Sequence, residues 1–380
     1  MGKAGSAAGI AVLLTGGGTG GHIYPAVAVA QELKNDPEIA DIYYIGCEKN
    51  LEKDIVAREG LKFYSLNVSG MPRKLSFKFL FWVCQLAVAT VRAVYYLLKL
   101  EPDVVFGTGG YVTGPVLIAA KLLGKPYIIH DPDAHPGIVN RYMASGAKVV
   151  SIAFESAKKH IKNPNTRLLG NPMRSKLSAI TKEQACNELG LDAERKTVLV
   201  MGGSQGAKTI NDALLDAVPV LLNEYGYQVI HQTGKKNFEA YEKAVFEKYP
   251  ELKGNPAYIV RPYFDDMSIP LNAADIAISR AGSISISELN LCALPSILVP
   301  YPYAAADHQR FNARDMEKAG ASVYLEDAEC SSERLIALIT SILNDNEKCQ
   351  LMKQAAKSLA KPDAAQNILN EIKKAACLVM

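Results

Sequence analysis

Two segments far apart in the chain share one grammar, and that repeat limits the fold more than any other feature. Ile10 to Leu14 is a short apolar run; TGGGTGGH (15–22) follows it, and then Pro25 to Leu33 with helical apolar spacing. Thr197 to Met201 is likewise apolar, followed by GGSQGAK (202–208) and by a periodic stretch to Leu221. Strand, glycine loop and helix together make a natural anion site. The helix start presents free N–H groups and the positive end of its dipole, and glycine lets a phosphate come close.

Further strands surround each segment. DIYYIG (41–46), FYSLNV (63–68), DVVFGTGG (103–110), PYIIHD (126–131) and KVVSIAF (148–154) follow the first. QVIHQTG (228–234), YIVRPYF (258–264), IAISRAG (276–282) and SILVPYP (296–302) follow the second. Helical stretches separate most of them, which is the pattern of parallel βαβ units with right-handed crossovers. The sequence therefore predicts an α/β protein of two doubly wound, Rossmann-like domains facing across a cleft, with the ligand between them at the carboxyl ends of the strands. The expected domains are 1–174 and 175–360, with 361–380 as a C-terminal helix that packs back on the first. GNPMR (170–174) marks the hinge, because an Asn-Pro step disfavours helix there.

Composition removes several function classes. A net charge of +3 over 380 residues, with no basic tail and no aromatic-basic repeat, excludes the usual signature of nucleic-acid binding. Seven cysteines without a C-x-x-C pair argue against a disulfide framework and a zinc site, and fit a reducing cytoplasm. MGKAGSAAGI carries no apolar stretch long enough for a signal peptide, so export is not expected. Residues 71–100 stand apart with five Lys or Arg, no acidic residue and the only Trp. Phe79 to Val91 gives 13 uncharged residues before Arg92, whereas a spanning helix needs ~20 apolar residues. An interfacial helix is favoured over a span, and a helix covering the sheet is the other reading.

Gly16, Gly18 and Gly21 satisfy G-x-G-x-x-G, with Glu48 at the end of the next strand, so a dinucleotide enzyme has to be weighed. The second loop misses the G-K-[ST] of a P-loop, because Ala207 separates Gly206 from Lys208, and this disfavours ATP hydrolysis. Two glycine-rich helix starts suit a diphosphate instead. In SRAGSISISELNLCALPSILVPYPYAAADHQRFNA (279–313), Gly282 and a Ser-rich turn open a helix, and Glu288 lies about one turn inside it. A carboxylate there can accept both hydroxyls of a ribose. Capping by Ser283 and Ser285, and a surface salt bridge for Glu288, are the plain alternatives.

Taken in order, GGGTGGHIYPA, GTGGYVTGP (107–115), GNPMR, GGSQGAK, SRAGSISISE, LPSILVPYP and DHQ resemble the signature of the MurG family. These bacterial enzymes transfer GlcNAc from UDP-GlcNAc to undecaprenyl-pyrophosphoryl-MurNAc-pentapeptide (lipid I), forming lipid II for peptidoglycan. The resemblance covers most of the chain. It implies a GT-B fold, inversion at the anomeric carbon, no cofactor, UDP-GlcNAc and lipid I as substrates, and peripheral attachment to an anionic membrane surface on the cytoplasmic face. By the same resemblance, Thr19, Gly20 and Gly21 belong to the first loop of the cleft, and Arg174 and Ser204 bind UDP. Phe264 lines the uracil pocket through its backbone. Ser283, Ile284, Ser285, Ile286, Ser287 and Glu288 hold diphosphate and ribose, and Gln309 contacts the sugar.

The chain departs from the family at His130-Asp131-Pro132-Asp133, where most members carry His-Glu-Gln-Asn. A substrate-contacting Asn is thus replaced by Asp133. Asp131 and Asp133 also give a D-x-D spacing, which in other glycosyltransferases holds a divalent ion; a polar loop contact is favoured and no metal is expected. For the base that the acceptor hydroxyl needs, His22 is the candidate, since a free histidine titrates at about 6.5. A hydrogen bond that shapes the loop is its alternative role. Another UDP-sugar enzyme of the same fold, an NAD-dependent oxidoreductase and a non-catalytic membrane-docking module are the competing readings.

Overall fold

The computed structural model describes residues 9–47, 52–72, 77–173, 180–203 and 206–377. Arg174 and Ser204 lie outside the described residues, as do Glu48, Arg73 and Lys74. The chain divides into two compact units, Met1–Met173 with Pro362–Met380, and Arg174–Lys361.

The first unit is built on seven parallel strands: β1 (Ile10–Thr15), β2 (Ile39–Cys47), β3 (Lys62–Leu66), β4 (Val104–Gly107), β5 (Tyr127–Asp131), β6 (Val149–Ile152) and β7 (Thr166–Leu168). They run in the order β3-β2-β1-β4-β5-β6-β7. Leu14 pairs in register with Tyr44 on one side and Phe106 on the other. Helices α1 (Gly20–Asn35), α2 (Glu52–Arg58), α3 (Phe77–Leu100), α4 (Thr113–Leu122) and α5 (Ile138–Met143) accompany them, together with the C-terminal helix. Alternation along β1 divides the core. Val12 and Leu14 join α1 residues Ala26, Val29 and Leu33 together with Ile368, Leu369 and Ile372 of the C-terminal helix. Leu13 points the other way, into the layer formed by Ala93 and Leu97 of α3 and Val116 and Leu117 of α4. Cover on both faces explains why the central strands read as unbroken apolar runs.

The C-terminal helix, Ala364–Cys377, belongs to this first unit and packs on α1. Lys373 Nζ donates to Asp36 Oδ2 at 2.9 Å and to Glu38 Oε1 at 2.7 Å, and Arg167 pairs with Glu371 at 2.7 Å.

α3 is an unusual element. It packs on α4 through Ala89, Ala93, Tyr96 and Leu97, whereas Phe77 (93% exposed), Leu80, Phe81, Val88, Val91, Tyr95 and Leu98 face outward. Among the described residues it is the one helix long and apolar enough to cross a membrane. One face covers the core and the other leaves a row of apolar side chains uncovered.

The second unit repeats the plan with six parallel strands: β8 (Thr197–Met201), β9 (Gln228–Gln232), β10 (Tyr258–Arg261), β11 (Ile276–Ser279), β12 (Ser296–Leu298) and β13 (Ser322–Tyr324). Their order is β10-β9-β8-β11-β12-β13. The helices are α6 (Lys182–Leu189), α7 (Lys208–Asn223), α8 (Phe238–Lys248), α9 (Ser268–Ala273), α10 (Ser283–Leu291), α11 (His308–Lys318), α12 (Ser332–Leu343) and α13 (Asn346–Leu359); the C-terminal helix is α14. Its core joins Val198, Val200 and Val229 to Leu214, Val218 and Leu221 of α7 and to Leu335 and Ile339 of α12.

Several elements differ from the sequence reading. α1 begins at Gly20, five residues before Pro25, so the proline sits inside the helix and cannot donate to the Gly21 carbonyl. β4 stops at Gly107 because Gly109 and Gly110 take φ of 100° and 83°. β10 stops at Arg261 because Pro262 has no N–H for the ladder. The three-residue strands β7 and β13 were not expected at all.

Candidate active site

In both units the strand order reverses next to the first strand, between β1 and β4 and between β8 and β11. Loops leaving the carboxyl ends of such a pair diverge to opposite faces and open a crevice, where doubly wound sheets bind their ligands. All four of these loops are the glycine-rich ones: TGGGTGGH after β1, TGGYVTG after β4, GGSQGA after β8 and RAGSISIS after β11.

In the first unit the two loops are packed backbone against backbone. Gly17 N–H donates to the Gly109 carbonyl at 3.3 Å. A Cβ on Gly110 would fall 2.0 Å from the Gly17 carbonyl oxygen, so only glycine lets the loops meet here. Thr108 secures His22 from two directions: its hydroxyl donates to the His22 carbonyl at 2.6 Å, and its own carbonyl lies 3.0 Å from His22 Nδ1. Since a carbonyl only accepts, Nδ1 carries the proton in the neutral ring and Nε2 carries the lone pair. Thr19 occupies the N-cap of α1 without a side-chain capping bond, and Gly20 and Gly21 are the first helical residues. His22 is half-buried, while Thr19 is exposed.

The loop after β5 is organised by Asp131. Its carboxylate, 1% exposed, accepts from Asp133 N–H at 3.1 Å, Gly137 N–H at 3.0 Å and Asn140 Nδ2 at 2.8 Å. Burial first, and the charge of Asp133 second, push its pKa up to about 7. His130 is fully buried between Ser151 Oγ and Asn171 Oδ1, each at 3.0 Å, and burial pushes it down to about 4. It is neutral, donating through Nε2. The two aspartates therefore play different parts: Asp131 braces the loop from inside, and Asp133 is half-exposed on it. Among the described residues no three His, Cys, Asp or Glu side chains gather as a metal site.

In the second unit, a Cβ on Gly206 (φ 77°) would fall 2.1 Å from the Thr233 carbonyl, which ties the loop after β8 to the end of β9. Ala207 and Gly282, the N-cap residues of α7 and α10, supply no capping side chain. Ser283 is buried in the first turn of α10 with Ile284, Ser285, Ile286 and Ser287 behind it, and Ser287 Oγ donates back to the Ser283 carbonyl at 2.9 Å. The N-cap is Gly282, not Ser283 or Ser285, which lie inside the helix. Glu288 is the sixth residue of α10, half a turn deeper than expected. Its half-buried carboxyl makes no hydrogen bond or ion pair among the described residues, and desolvation pushes its pKa up to about 7.

Phe264 is buried, and its N–H donates to Gln232 Oε1 at 2.9 Å. Gln309 lies in the first turn of α11 and its Oε1 accepts from Tyr301 N–H at 2.9 Å. The turn before it is strained, since Ala306 and Asp307 both adopt left-handed φ, 51° and 56°. Such conformations in non-glycine residues concentrate where a loop is held for function.

Sequence reasoning missed the residues that hold these loops. Arg280 Nη1 donates to the carbonyls of Val299 and Pro300 at 3.1 and 3.2 Å and pairs with Asp327, whose other oxygen accepts from Thr209 at 3.1 Å. This network joins the loop after β11, the loop after β12 and the start of α7. Thr108, Gln232 and Asn140 act in the same way. Arg280 and Thr108 lie inside quoted motifs, though the sequence assigns them no role there, and nothing in the sequence pairs Asp327 with Thr209, 118 residues away.

Residues 12–152 match the glycosyltransferase family 28 N-terminal domain, and residues 197–368 match the glycosyltransferase family 28 C-terminal domain. The chain is 39% identical over 364 residues to a Bacillus licheniformis protein and 38% identical over 369 residues to one from Bacillus subtilis. Each match covers 96% of this chain, and 98% and 99% of the respective relative. Both are named UDP-N-acetylglucosamine-N-acetylmuramyl-(pentapeptide) pyrophosphoryl-undecaprenol N-acetylglucosamine transferase. The crystal structure of Acinetobacter baumannii MurG is similar with a TM-score of 0.77 and 28% identity, over 96% of this chain and 99% of that one. A UDP-GlcNAc 2-epimerase from Neisseria meningitidis, at 15% identity and a TM-score of 0.65 over 96% and 100%, shares the fold. With both halves of the family model matched and full-length relatives this similar, the chain belongs to glycosyltransferase family 28, among the MurG-type transferases.

Proposed function

We propose that this protein transfers GlcNAc from UDP-GlcNAc to undecaprenyl-pyrophosphoryl-MurNAc-pentapeptide, inverting the anomeric carbon, at the cytoplasmic face of the membrane. The observation that carries the reading is full-length similarity to transferases named for that reaction, joined to glycine loops at both strand-order reversals.

The second unit takes the nucleotide. The N-cap residues of α7 and α10, Ala207 and Gly282, supply no capping side chain, and the N–H groups of these helix starts are assigned to the diphosphate, with Arg174 and Ser204 as further UDP-binding residues. Glu288, a carboxyl without a hydrogen-bond partner among the described residues, accepts the two ribose hydroxyls, and binding draws its proton off. The carbonyl of Phe264 faces the uracil, and the amide of Gln309 meets the sugar. As UDP departs with growing negative charge, the helix starts and Arg174 stabilise it.

The first unit takes the acceptor. His22 Nε2, with Nδ1 pinned on the Thr108 carbonyl, removes the proton of the attacking hydroxyl. Thr19, Gly20 and Gly21 offer N–H groups at the start of α1, and Asp133 supplies a polar contact. The apolar outer face of α3 rests on the membrane that carries the acceptor's lipid. Incubating the protein with labelled UDP-GlcNAc, with and without a lipid I analogue, tests the reading: label enters the lipid only when the analogue is present. Conversion of UDP-GlcNAc in its absence would instead mark a 2-epimerase.

A further inference from the structure

Glu52 opens α2 and is fully buried beneath the first glycine loop. Its Oε1 accepts the Gly18 N–H at 2.7 Å, and its Oε2, equally buried, has no hydrogen-bond partner among the described residues. The carboxyl presses so closely under the loop that a Cβ on Gly17 would fall 1.9 Å from Oε1. Two more groups hold the same three residues. The buried Tyr44 hydroxyl donates to the Gly16 carbonyl at 2.8 Å, and Gly17 donates to Gly109.

These contacts change what the loop can offer. A glycine-rich turn before a helix offers its N–H groups to an anion, yet that of Gly18 is taken by a carboxylate. The N–H groups of His22 and Ile23 are taken by the Thr19 carbonyl. Anion binding is thereby confined to Thr19, Gly20 and Gly21, next to His22. A buried carboxylate oxygen without a partner works against stability, so the fold alone gives no reason to keep it. Local rules are broken in this way mainly where function requires it.

We propose that Glu52 is a positioning residue for the transfer reaction: by holding Gly18 at φ 88° it sets the point where the chain enters α1, and so fixes Thr19 to Gly21 and His22 against Thr108. This rests on the transferase reading given above. Glu52 touches no reacting atom.

The test compares the full-length protein with Glu52→Gln and Glu52→Met. Gln keeps an oxygen for Gly18; Met keeps the length and fills the space without an acceptor. Glu52→Met is expected to lower kcat/KM for a lipid I analogue by about 10- to 100-fold, the scale on which a misplacement of about 1 Å is felt. Its affinity for UDP-GlcNAc and its melting temperature should match or exceed those of the wild type, and Glu52→Gln should retain turnover. Hydrogen exchange at the Gly18 amide reads the contact without turnover: protection in the wild type and Glu52→Gln, and its loss in Glu52→Met. Wild-type kinetics in Glu52→Met, equal protection in all three proteins, or unfolding and inactivity in both variants would overturn the proposal. Absence of transfer by the wild type would count against the transferase reading alone, and the exchange result would still decide the contact.

Discussion

Glu288, proposed to hold the ribose, illustrates how burial tunes a carboxyl group. Glu288 has its pKa pushed up to about 7 by desolvation, and the carboxylate is the form that accepts from hydroxyls. Donor binding is therefore expected to weaken as the pH falls below about 7. Glu288→Gln should remove that pH dependence and cost about 1.5–3 kcal/mol of donor affinity, seen in the Michaelis constant for UDP-GlcNAc. Stability runs the other way. A folded-state pKa above the unfolded value of 4.5 means that this group is best tolerated below pH 4.5, with the advantage lost as the pH rises through about 7. The ligand-free Glu288→Gln protein should accordingly be more stable than the wild type at pH 8, by roughly 1–3 kcal/mol for this partly exposed group. A thermal melt across pH 4 to 8 checks the sign; a less stable variant at pH 8 would contradict the burial argument.

Two further residues give separate readouts. His22→Ala should reduce turnover about 10²–10⁴-fold, the range for loss of a general base, with UDP-GlcNAc affinity preserved; loss of donor binding with normal residual turnover would make His22 a loop-shaping residue instead. Asp131 spends its oxygens on Asp133, Gly137 and Asn140, so a chelator should leave the rate of transfer unchanged. A rate abolished by chelation and restored by magnesium would reverse that assignment.

At the scale of elements, α3 makes the most direct statement. Lys78, Arg92 and Lys99 accompany its exposed apolar row, and no acid does. Each basic group that reaches an anionic surface contributes about 1 kcal/mol. The protein should sediment with anionic vesicles and be released by high salt, and replacing Phe77 and Phe81 by Ser should weaken that binding. Equal binding to neutral vesicles would leave no role for the charges. The helix was legible in sequence because its apolar stretch lacks acids, but which face packs inward was not: Ala89, Ala93 and Leu97 differ little from Val88, Val91 and Leu98 until α4 is in place. β1 and β8 were legible for a stronger reason, since a buried parallel strand before a glycine loop has few other ways to fold. β7 and β13 are three residues long and gain their pairing from neighbouring strands, so they carry no local signal. Likewise, the motifs single out His22, Glu288 and Gln309 as proposed site residues, whereas the side chains that brace the surrounding loops, Glu52, Asp327 and Gln232, depend on contacts distant in sequence.

At the scale of the whole molecule, each unit reverses its strand order beside a glycine loop, and family membership spans both. One unit is assigned the nucleotide sugar and the other the lipid acceptor, and the central claim is that a single displacement joins them. UDP-GlcNAc labelled with carbon-13 at the anomeric position, supplied with a lipid I analogue, tests it in one NMR experiment. The account predicts that the labelled carbon moves from the α-linked donor to a β-linked product in proportion to UDP released, and only with the acceptor present. An α-linked product, or release of UDP with free GlcNAc as the sole outcome, would contradict it.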